Sequence, residues 1–202
     1  LVNAVVSAVS PNAPVTLVLH DWGCFFGCEY AARNKDRVAR VVAADIGDTN
    51  SGAYLGQLTA KEKLLIAGYQ VWLAAAWKLG AVWPAMADRM TRFMARANGC
   101  ATPPEQIGWQ MNYPYAMQWL GSFGGLRGVA RVDRVFGEAL PMLFLYGRRK
   151  PFMFHSERWL KQLEATPGCA TLGMETGHWL MRQRPEEFNA AVGSWLDTAH
   201  KA

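Results

Sequence analysis

The chain has 202 residues, of which 51% are hydrophobic and 18% charged, so it can bury a substantial core and disorder is excluded. Its formal net charge is +5, but the basic residues are scattered and carry no recognition motif, so we expect no nucleic-acid partner. The longest apolar stretch, Leu64 to Trp77, is too short for a bilayer of about 30 Å, so we predict no membrane span.

The cysteines form neither a CxxC pair nor a dense disulfide framework, which indicates reduced thiols and a cytoplasmic protein. Cys24 and Cys28 have the i, i+4 spacing that could make half of a metal site, but we favour small buried side chains. We therefore predict neither a metal nor a cofactor. The opening Leu1 to Val9 lacks the basic start and the cleavage site of a signal peptide.

Residues 1–48 have the pattern of a strand, a helix and a second strand. Val15 to His20 (VTLVLH) is a β-branched and leucine-rich run, as expected of a strand buried on both faces. Phe25 to Lys35 carries helix formers and aromatic residues, and Val38 to Asp45 is the next buried strand. This segment is predicted to be the first part of an α/β core.

An inserted helical lid is predicted over residues 49–138, because the polar sequence GDTNSG ends the sheet pattern and no convincing strand pair follows. The predicted segments are Lys61 to Leu79, Trp83 to Ala97, an Ile107 to Leu120 segment that Pro114 would kink or divide, and a glycine-rich turn from Gly121 to Gly128.

Alternation of strand and helix resumes over residues 139–202, the C-terminal part of the core. The predicted strands are Pro141 to Tyr146 and Ala170 to Glu175, and the predicted helices are Ser156 to Ala165 and Pro185 to Ala199. The pattern predicts an α/β fold with a mostly parallel sheet, helices on both faces and the helical lid between two parts of the core.

An acidic residue, Asp21, stands between the first strand and its helix in the sequence LVLHDWGCFFG. Taken alone, Asp21 could simply cap the helix, but a nucleophile elbow has the same strand-to-turn-to-helix order. The HDWG sequence resembles α/β-hydrolases of the branch that includes epoxide hydrolases and haloalkane dehalogenases, in which Asp21 would replace the serine nucleophile. Leu19, where a small residue is frequent, and Cys24, where a second glycine is frequent, depart from that pattern.

The resemblance implies an Asp21 ester, which a histidine must help to hydrolyse. A carboxylate is ionised at neutral pH and attacks an sp³ carbon that bears an epoxide oxygen or a halide without help from a base. Water must then cleave the ester, and histidine is the natural general base. His178, in ETGHWLM, resembles the family's catalytic histidine, although it could be a buried histidine bound to backbone groups. We do not expect the base to be any of the other histidines, His20, His155 and His200.

The third member of the triad departs from the commonest family pattern. Many relatives place an acid after the strand equivalent to Pro141 to Tyr146, but GRRKP has Lys150 there, and lysine cannot accept the imidazole N–H. Some dehalogenases place the acid after the strand that follows the nucleophile helix, which is Asp45 here, with Asp48 in reserve. Either aspartate could instead form the turn in DIGD.

Three aromatic residues are candidates for contacting the substrate. The backbone N–H of Trp22 is a candidate oxyanion donor, and Tyr113 and Tyr115 in NYPY are either donors to a developing alkoxide or packing residues. Nine tryptophans and nine methionines favour a bulky pocket for a small apolar organic substrate.

The resemblance also implies that the family's first strands and its HGxP loop lie in about 80 to 100 residues upstream, so that the N-terminal strands are missing here. The predicted function is an epoxide-hydrolase-like activity through Asp21, His178 and Asp45. The alternatives are a haloalkane dehalogenase and a non-catalytic ligand-binding fragment or pseudoenzyme, the latter suggested by Lys150. The sequence gives no indication of the oligomeric state.

Overall fold

A parallel sheet forms the centre of the fold in the computed structural model, which describes residues 1–120 and 140–198. The sheet has four strands in the order β1-β2-β3-β4, and each neighbouring pair is parallel. The strands are β1 (Val15–His20), β2 (Val38–Ala44), β3 (Met142–Gly147) and β4 (Ala170–Met174). The predicted α/β class is confirmed, and the carboxyl ends of all these strands lie at one edge.

The chain divides into two compact units. The first comprises Leu1–Gln57 and Ala130–Ala202, and the second comprises Leu58–Val129. The predicted domain boundaries, after residues 48 and 138, stay predictions. The glycine-rich turn predicted from Gly121 to Gly128 lies outside the described residues.

The helices of the first unit accompany the sheet. They are α1 (Val2–Val9), α2 (Trp22–Arg33), α3 (Gly52–Gln57), α7 (Glu157–Glu164), α8 (Leu180–Gln183) and α9 (Pro185–Thr198). The sequence patterns indicated neither α1 nor α3. In α1, Val6 is the buried residue, and Tyr30 of α2 donates a hydrogen bond to Asn3 over 3.2 Å.

Both faces of the sheet are covered by helices. On one face Val42 and Leu145 belong to an apolar cluster with Leu180 of α8 and Phe188 of α9. On the opposite face the Phe144 ring packs edge-on against Trp159 of α7, with ring centroids 4.4 Å apart. The prediction of helices on both faces is therefore confirmed.

Strand β1 is less buried than its composition predicts. It pairs only with β2 among the described strands, and Val18 is 59% exposed. The prediction that β1 is buried on both faces is therefore wrong for this edge strand. Leu19 points to α2, where its side chain occupies the space that a Cβ on Gly27 would need. Since Gly27 has no Cβ, the large residue at position 19 is accommodated.

The second unit is helical over its described residues. It contains α4 (Ala60–Gly80), α5 (Pro84–Ala97) and α6 (Tyr113–Leu120). A capping box between Thr59 and Glu62 begins α4, since each residue's side chain binds the other's backbone N–H. Pro114 lies in the first turn of α6, after a 3₁₀ turn over Trp109–Asn112, so the predicted division of that segment is confirmed. Within the described residues, no helix combines the length and the apolar character that a membrane span requires.

Candidate active site

Asp21 occupies a strained position between β1 and α2. Its φ is 51° and its ψ is −126°, a backbone conformation that residues with a Cβ rarely adopt. The side chain is 36% exposed and makes no capping hydrogen bond to α2. Asp21 is thus the N-cap residue of α2 by position, but its side chain does not cap the helix, and the turn presents its carboxylate at the carboxyl edge of the sheet.

Asp45 follows β2 and is fully buried. It also has a positive φ, of 71°. Its Oδ1 accepts a hydrogen bond from the Gly147 backbone N–H over 3.0 Å, and its Oδ2 lies 2.6 Å from Nδ1 of His178. The carboxylate is thus held from two sides, which fixes it against the imidazole.

His178 lies in the loop between β4 and α8, and it joins Asp45 to Asp21. Its Nδ1 contacts Asp45, and its Nε2 is 3.8 Å from Oδ2 of Asp21. That second separation is longer than a hydrogen bond but short enough for strong electrostatic attraction. His20 donates a hydrogen bond from Nε2 to the carbonyl oxygen of His178 over 3.0 Å, which helps to hold the His178 loop in place. Asp21, Asp45 and His178, predicted from separate segments, are therefore brought together.

A glycine permits the close approach of the His178 loop to β3. A Cβ on Gly147 would overlap the carbonyl oxygen of Gly177, so any larger residue at position 147 would push the loop away. Because the Gly147 N–H also binds Asp45, this position supports two members of the site at once.

Two carboxylates set the protonation of His178. Burial disfavours its charged form, but attraction to Asp21 and Asp45 outweighs burial and raises the pKa of His178 to about 9. For His20, burial and then the neighbouring His178 lower the pKa. The imidazolium form of His178 is consequently the stable form near neutral pH when both aspartates are ionised.

Lys150 is a part of the site that sequence reasoning missed. Its side chain is 5% exposed, and its ammonium forms an ion pair with Oδ1 of Asp45, whose side chain is 0% exposed. The ammonium also lies 4.8 Å from the centre of the Phe154 ring. Burial lowers the pKa of Lys150, and the Asp45 carboxylate acts in the opposite direction. The available signal was the pairing of adjacent parallel strands, which puts residues that follow β2 beside residues that follow β3.

Asp48, the reserve acid, is hydrogen-bonded to other partners. Its Oδ1 accepts from the Ser156 N–H over 2.7 Å, and its Oδ2 accepts from the hydroxyls of Ser156 and Ser51 over 2.7 and 2.5 Å. The Ser156 hydroxyl in turn accepts from the Trp159 N–H and caps α7. Asp48 thus ties the loop after β2 to the start of a helix.

The remaining predicted residues lie at several places. Trp22 begins α2, and its ring packs against Phe25. Tyr113 and Tyr115 are in α6 of the second unit, where the Tyr115 ring lies edge-on to Tyr69.

The other histidines and the cysteines are placed as follows. His155 is buried, and burial followed by the charge of Lys150 lowers its pKa to about 4. His200 lies outside the described residues. Cys24 and Cys28 are fully buried on α2. Among residues 1–120 and 140–198, no cluster of three or more His, Cys, Asp or Glu side chains could hold a metal ion.

The sequence model of the alpha/beta hydrolase family matches residues 1–191. No curated protein sequence matches the chain. Many solved structures resemble it at low identity, which makes them informative about the fold.

Three of these structures illustrate the likeness. A mutant epoxide hydrolase from Bacillus megaterium, bound to its product, is 18% identical with a TM-score of 0.64, over 97% of this chain and 73% of that chain. A loop variant of a haloalkane dehalogenase from Bradyrhizobium elkanii is 16% identical with a TM-score of 0.58, over 99% of this chain and 72% of that chain. NosK from Streptomyces actuosus is 20% identical with a TM-score of 0.57, over 98% and 74% of the respective chains.

Proposed function

The chain belongs to the α/β-hydrolase family, and from this premise we propose that it hydrolyses a small apolar epoxide through an ester on Asp21. One observation carries the proposal: the Asp21 carboxylate stands 3.8 Å from Nε2 of a histidine whose Nδ1 binds the buried Asp45. A serine hydrolase would present a hydroxyl at this turn, whereas this chain presents a carboxylate. A carboxylate suits attack on an sp³ carbon.

In the first step an oxygen of Asp21 attacks an epoxide carbon. The new bond joins that oxygen to carbon, the carbon–oxygen bond of the epoxide breaks, and its electron pair leaves on the substrate as an alkoxide. The alkoxide takes up a proton to become a hydroxyl group. Tyr113 and Tyr115 stay the proposed donors for this proton, and the helical unit stays the proposed lid.

In the second step His178 accepts a proton from water while the water oxygen bonds to the carboxyl carbon of Asp21. The bond from this carbon to the oxygen that Asp21 had attached to the substrate then breaks, that oxygen takes the proton from His178, and the diol leaves with it. The water oxygen stays on Asp21, which releases the second water proton as its carboxylate re-forms. A water at Nε2 can reach Asp21 because the two side chains are separated by 3.8 Å. The backbone N–H of Trp22, at the start of α2, is the proposed donor to the oxyanion.

Isotope labelling tests the ester mechanism directly. A single turnover of a terminal aryl epoxide in ¹⁸O water should place the label in the Asp21 carboxylate, as peptide mass spectrometry would detect. The variant His178→Gln should instead retain the substrate as a stable mass increase on Asp21, and Asp21→Asn should show neither. An epoxide that turns over without labelling Asp21 would reject the proposal.

A haloalkane dehalogenase is the second candidate, favoured by the position of Asp45 after β2, where some dehalogenases place their acid. The same Asp21 ester would form, with a halide as the leaving group. This candidate predicts halide release from haloalkanes and quenching of tryptophan fluorescence by halide; the absence of both would remove it. An apolar ligand that binds equally to wild type and Asp21→Asn, with no turnover in either, would favour a pseudoenzyme.

The cytoplasm remains the proposed location. The described cysteines, Cys24, Cys28, Cys100 and Cys169, are free thiols, as a reducing compartment favours.

A further inference from the structure

Lys150 occupies the position after β3 at which a triad acid is expected, and its charge has the opposite sign. We propose that Lys150 is a positioning residue whose ammonium balances Asp45, so that His178 is left as an uncharged base once Asp21 has become an ester. This inference rests on the proposed function, because it concerns the second step of the same reaction.

The geometry makes Lys150 part of the Asp45–His178 unit. Asp45 divides its two oxygens between them: Oδ1 binds the Lys150 ammonium and Oδ2 binds the imidazole of His178. Both members of the ion pair are buried, so water screens their charges little. The proton affinity of His178 therefore depends on whether Lys150 is charged.

In the resting site the formal charges cancel when His178 is protonated. Asp21 and Asp45 are negative, and Lys150 and the imidazolium are positive. Asp45 and Lys150 are buried and His178 is 21% exposed, so an excess charge among them would be poorly solvated, whereas Asp21 is 36% exposed. Burial lowers the pKa of His178, but Asp21 and Asp45 raise it by more, to about 9.

Formation of the ester changes that balance. The negative charge of Asp21 passes to the substrate alkoxide, which takes up a proton, so the ester leaves no charge at position 21. Asp45 and Lys150 then cancel each other, and an uncharged His178 completes a neutral site. Without Lys150, the Asp45 carboxylate would be balanced by an imidazolium, which cannot accept a proton from water.

The other titratable groups around this unit do not replace Lys150. His20 and His155 both have lowered pKa values, through burial first, so they add no positive charge near neutral pH. Asp48 faces hydroxyl and N–H donors. Glu175, after β4, pairs with the exposed side chains of Arg148 and Arg149.

Titration of His178 by NMR tests the proposal in the full chain. Asp21→Asn serves as an uncharged stand-in for the ester, and the imidazole nitrogens of His178 report its protonation. In the double variant Asp21→Asn/Lys150→Met, the imidazole of His178 should bind its proton about tenfold more tightly than in Asp21→Asn alone, because one nearby cation has been lost. Adding Lys150→Arg instead of Lys150→Met should leave the titration midpoint near that of Asp21→Asn.

A second set of variants tests whether the effect of Lys150 on His178 depends on Asp45. In a background that also carries Asp45→Asn, the buried lysine loses the carboxylate that favours its charged form. Lys150→Met should then move the midpoint much less, because little charge is left to remove. Lys150→Gln provides a second neutral variant if Lys150→Met does not fold, as checked by circular dichroism. Equal midpoints with and without the Lys150 charge would overturn the proposal.

The titration needs no turnover, so it is separate from the test of the proposed function. An unchanged midpoint in a protein whose Asp21 acquires ¹⁸O would reject the role of Lys150 alone. A shifted midpoint in a protein that forms no ester would reject the ester mechanism and confine Lys150 to setting the proton affinity. In an active enzyme, Lys150→Met should also move the acidic limb of ester hydrolysis to higher pH, and Lys150→Arg should restore it.

Discussion

Asp45 and Asp48 are neighbours in the loop after β2, and both are buried, yet their surroundings differ in kind. Asp45 binds an ammonium and an imidazole, two groups that gain or lose protons. Asp48 binds hydroxyls and a backbone N–H, which keep theirs. The partners of a buried carboxylate, more than its burial, therefore decide whether it can serve proton transfer or only hold the chain together.

The largest effect is expected from removing the charge of Asp45. Asp45→Asn should lower kcat/KM for the proposed substrate by about ten-thousandfold, as loss of the orienting acid does in other triads. Asp48→Asn should keep kcat/KM within about threefold of wild type, because no proton in the proposed reaction passes near it.

The unpaired Lys150 in Asp45→Asn requires a control. The double variant Asp45→Asn/Lys150→Met removes both members of the ion pair and should be equally inactive while unfolding at a higher urea concentration than Asp45→Asn. If the double variant regained activity, the inactivity of Asp45→Asn would be due to the unpaired lysine. Asp45 would then differ from Asp48 in its charge partner and not in a role in catalysis.

Because the protonated form of His178 binds Asp45, the free energy of unfolding should fall as the pH rises into the alkaline range. The pKa of His178 is raised from 6.5 to about 9, so its stabilising contribution is complete below pH 6.5 and lost as pH rises through 9. The full loss is about 3 kcal/mol in the free energy of unfolding. Urea titrations across this range should show the slope in wild type and not in His178→Gln; an equal slope in both would contradict the assignment.

His155, which precedes the Asp48 partner Ser156, should give the opposite dependence of stability on pH. Its pKa is lowered from 6.5 to about 4, so stability is complete above pH 6.5 and falls as pH drops through 4. The loss should again be about 3 kcal/mol. His155→Phe should remove this part of the acid sensitivity and match wild type near neutral pH, as thermal unfolding at several pH values would measure.

A smaller effect is expected from Asp48 itself. Asp48→Asn should reduce the free energy of unfolding by about 2 kcal/mol, because an amide cannot accept all three hydrogen bonds from Ser156 and Ser51. Urea unfolding at neutral pH measures this loss. Thr59→Ala, which removes the cap of α4 in the other unit, is a control for general destabilisation and should cost about 1 kcal/mol.

The contacts of Asp21, Asp45 and His178 follow from rules that a sequence displays. Buried β-branched runs predict parallel strands, and residues after such strands meet at one edge of the sheet. Both Asp45 and Lys150 follow such strands. Asp45 is preferred because lysine cannot accept the imidazole N–H and because the resemblance to some dehalogenases implies an acid at this position. The catalytic roles of Asp21, Asp45 and His178 stay predictions, as do those of Trp22, Tyr113 and Tyr115.

Other features depend on packing that a sequence does not display. Adjacent parallel strands could have placed Lys150 near Asp45, but only the folded loop shows that the lysine side chain is buried and forms an ion pair there. Helix α1 is rich in valine, which has low helix propensity, so local preference did not predict it. Val18 is exposed because β1 pairs with β2 alone among the described strands, and composition does not show how many partners a strand has.

Asp21 and Asp45 share a further property: among the described residues they are the non-glycine positions with positive φ. A glycine at position 21 would relax its turn and should gain about 1 kcal/mol in stability while abolishing the nucleophile. Natural selection for turnover therefore works against selection for robustness at this position. In a lineage that no longer needed the reaction, glycine would be among the first replacements to accumulate there, and its presence in a descendant would mark the loss of activity.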